Sequence, residues 1–263
     1  MSNGSKGLPT MWTTHNGQDH QQKPPANTCM VATNMLHVSP LHTSEAAGTH
    51  KPPLSSGLMA EAVSALERIG SDIQKPAKSM VFRQGENAEF IYIIQSGALK
   101  VDYQLEDGRN LVLDFLWPGR FSGIMETGIY PWSTIALVDT HLKRLRRSAV
   151  QALAQSYTGI MDLLLEQKTA SLMAAKNHII LMSCPTATSK LIGFLLAYSK
   201  RQEYFNHATQ VLTLVMSRKD IADYLGMTFE TTSRIFKYLE TRTYIKKINH
   251  RQIQLNIPML LKA

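Results

Sequence analysis

The segment MSRKDIADYLGMTFETTSRIFKYLE, residues 216–240, constrains the chain more than any other. Ser217 with Asp220 three residues on forms a capping box, which predicts a helix starting at Arg218. Ile221, Ala222 and Leu225 make its apolar side, and Gly226 suits its end. Thr228 then caps a second helix running to about Glu240. On that helix Thr232, Ile235, Phe236 and Leu239 fall on one side. Glu230, Ser233, Arg234 and Lys237 fall on the other at spacings of 3 and 4. A short helix, a glycine turn and a helix with one polar face define a helix-turn-helix; the blander alternative is a helical hairpin with a solvated charged face. The polar face suits the major groove, where Arg pairs with guanine, Glu accepts from the cytosine amino group and Ser serves several edges. Tyr244–Asn249 and Arg251–Asn256 alternate like a hairpin, which adds a wing with Lys246, Lys247 and Arg251 available to phosphates. The candidate contacts to double-stranded DNA are Ser217, Arg218, Thr228, Phe229, Glu230, Thr231, Ser233, Arg234, Lys237, Lys246 and Lys247.

The charge distribution points the same way. The net charge is +8, but residues 185–263 hold 12 Lys/Arg against 5 Asp/Glu, while residues 57–184 hold 13 of each. Basic charge concentrated beside the helix-turn-helix is the footprint of polyanion binding. Residues 1–56 carry 6 of the 11 prolines and 5 of the 9 histidines, and are read as a disordered tail too polar to offset its ordering entropy. The tail histidines His15, His20, His37, His42 and His50 lack ligand spacing, and no metal site is expected. No apolar run is long enough to span a membrane and no secretory h-region opens the chain, so the expectation is a cytoplasmic protein. Two cysteines cannot make a disulfide scaffold. No phosphate loop, metal set or catalytic triad stands out, so an enzyme is not expected.

Between tail and reader, the pattern predicts a helix over 57–70 ending on Gly70, then short strands at Ser79–Arg83, Glu89–Gln95, Leu99–Leu105, Asn110–Leu116, Ser133–Asp139 and His141–Leu145. Gln84-Gly85, Ser96-Gly97, Asp107-Gly108 and Pro118-Gly119 punctuate them, which predicts an antiparallel sandwich or roll. One long helix is expected from Ala149 to Ser183. Met161, Leu165, Lys168, Leu172, Ala175, Ile179 and Met182 recur there at alternating 4,3 spacing, as in a coiled-coil seam. The competing reading is an ordinary helix packed on the strands. Pro185 breaks the helix, and Thr186–Lys200 reads as another. Cys184, just before Pro185, is a candidate redox group if it opens a helix whose dipole stabilises a thiolate; the other reading is an inert small residue at a hinge. The expected domains are the tail 1–56, a roll 57–148, a dimerisation helix 149–184 and a winged helix-turn-helix 185–258.

MSRKDIADYLGMTFETTSRIF, AEFIYIIQSGALKVDYQLEDGRN and IALVDT together resemble the Crp/Fnr superfamily over about residues 57–258, most closely its FixK and Fnr branch. The resemblance implies an α+β chain: an N-terminal cyclic-nucleotide-binding-like β-roll, a long dimerisation helix and a C-terminal winged helix-turn-helix. It implies a homodimer that reads a palindrome, with Glu230, Ser233 and Arg234 as base readers. RNA polymerase is the implied partner, at promoters for low-oxygen respiration, nitrogen fixation or denitrification. Gly123-Ile124-Met125 and Trp132-Ser133 stand where cyclic-AMP-binding relatives hold ribose and phosphate. An apolar residue thus replaces the Glu and Trp replaces the Arg, so a buried cyclic phosphate would lack its charge partner. Cys29 and Cys184 cannot build a four-thiolate cluster within one subunit, and no cofactor is expected. Phe229 stands where the cyclic-AMP receptor group has Arg, which points to TTGAT-type half-sites. The alternative is a Crp-like regulator gated by a small ligand, a cyclic nucleotide or a haem-borne gas.

Overall fold

The computed structural model describes residues 56–124 and 128–262, so residues 1–55 of the tail, with its histidines and Cys29, and Met125 lie outside the described residues, while Ser56 opens the first helix. Helix α1 (Ser56–Ile69) leads into eight strands: β1 (Ser71–Lys75), β2 (Met80–Phe82), β3 (Phe90–Ser96), β4 (Leu99–Gln104), β5 (Asn110–Leu116), β6 (Phe121–Ser122), β7 (Ser133–Ala136) and β8 (Thr140–Arg146). They form two antiparallel four-stranded sheets, ordered β1-β8-β3-β6 and β2-β7-β4-β5. Helices α2 (Arg147–Ser156), α3 (Thr158–Met182) and α4 (Ala187–Tyr198) follow. The chain ends with β9 (Phe205–Asn206), β10 (Val211–Thr213), α5 (Arg218–Leu225), α6 (Phe229–Thr241), β11 (Ile245–Lys247), β12 (Gln252–Leu255) and α7 (Ile257–Leu260). The last four strands make a third sheet, ordered β11-β12-β10-β9.

The run FIYIIQ in β3 is apolar almost throughout because both faces of its sheet are covered. Tyr92 and Ile94 point into the roll with Phe82, Leu99 and Leu142, whereas Ile91 and Ile93 point outward to Leu66, Val150, Ile160 and Leu163 of α1, α2 and α3. A third cluster joins Phe115 and Trp117 of the roll to Phe194, Tyr198, Leu225 and Phe236, so roll and C-terminal region share one continuous core. Gly97 turns β3 into β4 at φ 90, and a Cβ there would lie 2.5 Å from the Thr140 hydroxyl, so only glycine fits.

Helix α1 ends directly before Gly70, as expected, though Gly70 has no positive φ; a Cβ there would lie 2.5 Å from Lys143 Cγ, so close packing is what demands glycine. One local expectation is corrected. The single helix expected over 149–183 is two, divided at Tyr157, whose backbone is extended (φ −139, ψ 102). Its ring lies over Gly159 and its hydroxyl donates to Glu61 at 3.2 Å, so the break is tied to α1. Strand β1 was not foreseen, because SDIQK holds one apolar residue; it is an edge strand ordered by pairing with β8 and by the Asp72–Lys143 ion pair at 2.7 Å.

Candidate nucleic-acid interface

The reader forms as its caps dictate. Ser217 Oγ accepts from the Asp220 N–H at 3.1 Å, while the Asp220 carboxylate accepts from the Ser217 N–H at 2.9 Å, closing the capping box of α5. Gly226 ends α5 at φ 61, and Thr228 Oγ1 accepts from the Thr231 N–H at 3.1 Å to start α6. Ile221 and Leu225 of α5 pack with Ile235, Phe236 and Leu239 of α6, which turns the opposite face of α6 outward. Glu230, Arg234 and Lys237 are exposed and Ser233 is half-buried on that face, with Phe229 exposed at its start. Arg234 donates to Thr231 Oγ1 at 3.3 Å, a bond weak enough to yield to a base edge. Lys246 and Lys247 are exposed on β11, paired with Gln254 and Ile253 of β12.

Arg218 behaves differently from the rest of the candidate set. Its guanidinium lies 3.0 Å from the Phe236 ring centroid, and burial pushes its pKa down to about 10 despite the nearby Glu240 charge. It remains a cation at neutral pH but is committed to the protein. The structure also gathers residues that the sequence did not single out. A cleft of ≈ 560 Å³ between roll and reader is lined by Lys78, Lys100, Arg218, His250 and Arg251 together with Asp220. No sequence signal could assemble Lys78 with Arg251, because only the fold brings them together.

On α3 the seam positions divide. Met161, Leu165, Leu172 and Ile179 are 56 %, 65 %, 56 % and 69 % exposed, an uncovered apolar stripe, and Ala175 is exposed with them. Lys168 is half-buried, and Met182 turns onto its own chain, its Cε lying 2.8 Å from where a Gly226 Cβ would be. Cys184 is 5 % exposed and does not open a helix: α4 is capped by Thr186, and the Cys184 N–H donates to Leu181 O at the last turn of α3. That is the negative end of a helix dipole, and the Cys184 sulfur is held in a disulfide, so there is no free thiolate for a helix to stabilise.

Inside the roll, the region beside Gly123 is filled by aromatic rings. Phe82 stacks on Tyr130 with centroids 3.8 Å apart, Tyr92 lies 5.7 Å from Phe82, and the Tyr130 hydroxyl donates to Phe90 O at 2.7 Å. Arg147 is spent on the carbonyls of Ala88 and Gly123, at 2.6 and 2.9 Å, and Trp132 is half-buried against the same core.

Residues 73–157 match the cyclic nucleotide-binding domain family and residues 189–263 match the Crp-like helix-turn-helix domain family. The nitrogen fixation regulation protein FixK of Azorhizobium caulinodans is 31% identical, covering 86% of this chain and 95% of its own. The transcriptional activator Anr of Pseudomonas protegens is 29% identical over 70% of this chain and 76% of its own. The structure of FixK2 from Bradyrhizobium japonicum superposes with a TM-score of 0.67 at 28% identity, covering 73% of this chain and 96% of that one. No helix among the described residues is long and apolar enough to cross a membrane. A β-roll, a long helix and a capped helix-turn-helix with its small sheet, matched by these relatives, establish that the chain belongs to the Crp/Fnr family of DNA-binding transcriptional regulators.

Proposed function

We propose that the protein is a FixK-like activator that binds DNA as a homodimer, each subunit placing α6 in one half of a TTGAT-type palindrome, and recruits RNA polymerase to genes for low-oxygen respiration, nitrogen fixation or denitrification. The observation that carries this reading is the outward face of α6, where Glu230, Ser233 and Arg234 stand together and the opposite face is sealed by Ile235, Phe236 and Leu239. Phe229, exposed at the start of α6, suits a half-site read without Arg at that position. The exposed stripe on α3 supports dimerisation, and the FixK likeness supports the target class. The aromatic filling beside Gly123, with Arg147 already occupied, argues for control by something other than a cyclic nucleotide inside the roll.

Binding of wild type, Glu230→Ala and Arg234→Ala to a panel of single-base operator changes tests the site. Arg234→Ala should cost about 1–3 kcal/mol and lose discrimination at one guanine. Unchanged base preference in both variants would overturn the assignment of the reading face.

A further inference from the structure

Helix α5 is held from outside at both ends of one face. In its first turn, one Asp220 oxygen accepts from the Ser217 N–H and hydroxyl at 2.9 and 2.6 Å, and the other accepts from Lys100 Nζ of β4 at 2.9 Å. The ion pair joins residues 120 apart in sequence and is largely sheltered, with side chains 14% and 15% exposed. Four residues on, Tyr224 stacks on His178 of α3 with centroids 3.9 Å apart and planes 4° off parallel, and His178 Nε2 lies 2.7 Å from Tyr224 O. Phe115 of β5 closes on Tyr224 at 5.0 Å. Asp220 and Tyr224 are i and i+4, so they share a face and stand about 6 Å apart along the axis.

Apolar packing of Ile221 and Leu225 in the core shared with Phe115 holds α5 against the roll but is non-directional. The ion pair at Asp220 adds a directional hold at its first turn. Burial disfavours the Asp220 charge, but the bonds from Ser217 and Lys100 outweigh it and lower its pKa, so the pair stays ionised. Because α6 packs on α5, whatever orients α5 orients the recognition face.

We propose that Lys100 is a positioning residue for DNA recognition: through Asp220 it sets the angle at which α5 and α6 project from the roll, and thereby the half-site spacing that a dimer accepts. This rests on the palindrome-reading dimer proposed above. The roll then contributes to specificity without touching DNA, since a dimer tolerates only spacings that its two recognition helices can span.

The test measures the affinity of full-length wild type, Lys100→Arg and Lys100→Met for operators whose half-site spacer is one base pair short, preferred, or one base pair long. Half-site base preference, oligomeric mass and thermal midpoint are recorded alongside. In Lys100→Met, discrimination against the wrong spacers should fall by roughly 3- to 10-fold, the scale of a lost local coupling, while base preference within each half-site and the dimeric mass persist. Lys100→Arg should restore discrimination. Should Lys100→Met melt early, Asp220→Asn, which keeps an acceptor for the cap, must reproduce the spacer effect. Wild-type spacer discrimination in a folded Lys100→Met overturns the positioning role alone, as does an equal loss on every operator. Wild type that is monomeric or indifferent to spacing overturns the dimer reading beneath it.

Discussion

Asp114 illustrates how one side chain records the join between the two halves of the molecule. It sits on β5, where its carboxylate accepts from the Phe115 N–H at 2.8 Å and lies within the field of Arg120 and Arg201. Burial pushes its pKa up to about 6, the neighbouring cations and the N–H bond offsetting only part of that. A carboxyl whose pKa is raised on folding binds its proton more tightly in the folded chain. Its stabilising contribution is therefore full below the ordinary carboxylate value and is lost as pH rises through about 6. Asp114→Asn cannot ionise, so its stability relative to wild type should improve as pH is raised from about 4 to 7, read as the difference in urea midpoints. A difference that stays constant across that range would mean the carboxyl titrates normally. The sequence shows an Asp in an apolar strand; Arg120 and Arg201 become its neighbours only through folding.

At the scale of elements, α3 is the case where two readings stayed open. Spacing alone cannot distinguish a stripe that faces the roll from one that faces a second copy, because both are apolar at the same period. In the structure Ile160 and Leu163 seal the roll, while Met161, Leu165, Leu172 and Ile179 point away from it, an uncovered stripe about 27 Å long. Replacing Leu165 and Ile179 together by Glu should leave the subunit folded, since both are well exposed, and should convert a dimer to a monomer by sedimentation. Retention of the dimer would place the interface elsewhere. The caps of α5 and α6 were legible because Ser217, Asp220, Gly226 and Thr228 act within their own turns. The break at Tyr157 was not, since the Tyr157 hydroxyl meets its partner Glu61 on a different helix.

At the scale of the whole molecule, the positive charge of residues 185–263 and the exposed Lys246 and Lys247 predict binding that weakens steeply with salt. Lys246→Ala should lower affinity for all sequences alike and reduce the salt slope by about one unit, whereas Arg234→Ala should change base preference. The measurement is operator affinity at two or more salt concentrations. An unchanged slope in Lys246→Ala would remove the wing from the phosphate contacts. Loss of preference in one variant and loss of slope in the other would separate reading from positioning in the same complex.

The sequence by itself determined the helix-turn-helix, its caps and its outward polar face, because these depend on residues within four positions of one another and on a period of 3.6. It also determined the strand-rich middle, through the alternation in runs such as Leu99–Leu105 and the glycine turns between them. Tertiary structure alone decided which face of α3 is left uncovered, that Arg218 stacks on Phe236 rather than standing free, that Phe82, Tyr92 and Tyr130 fill the roll beside Gly123, and that Lys100 reaches Asp220. Each of these is a contact between residues distant in the chain. A side chain's own chemistry says what it can bond to, and only the packed fold says which partner arrives.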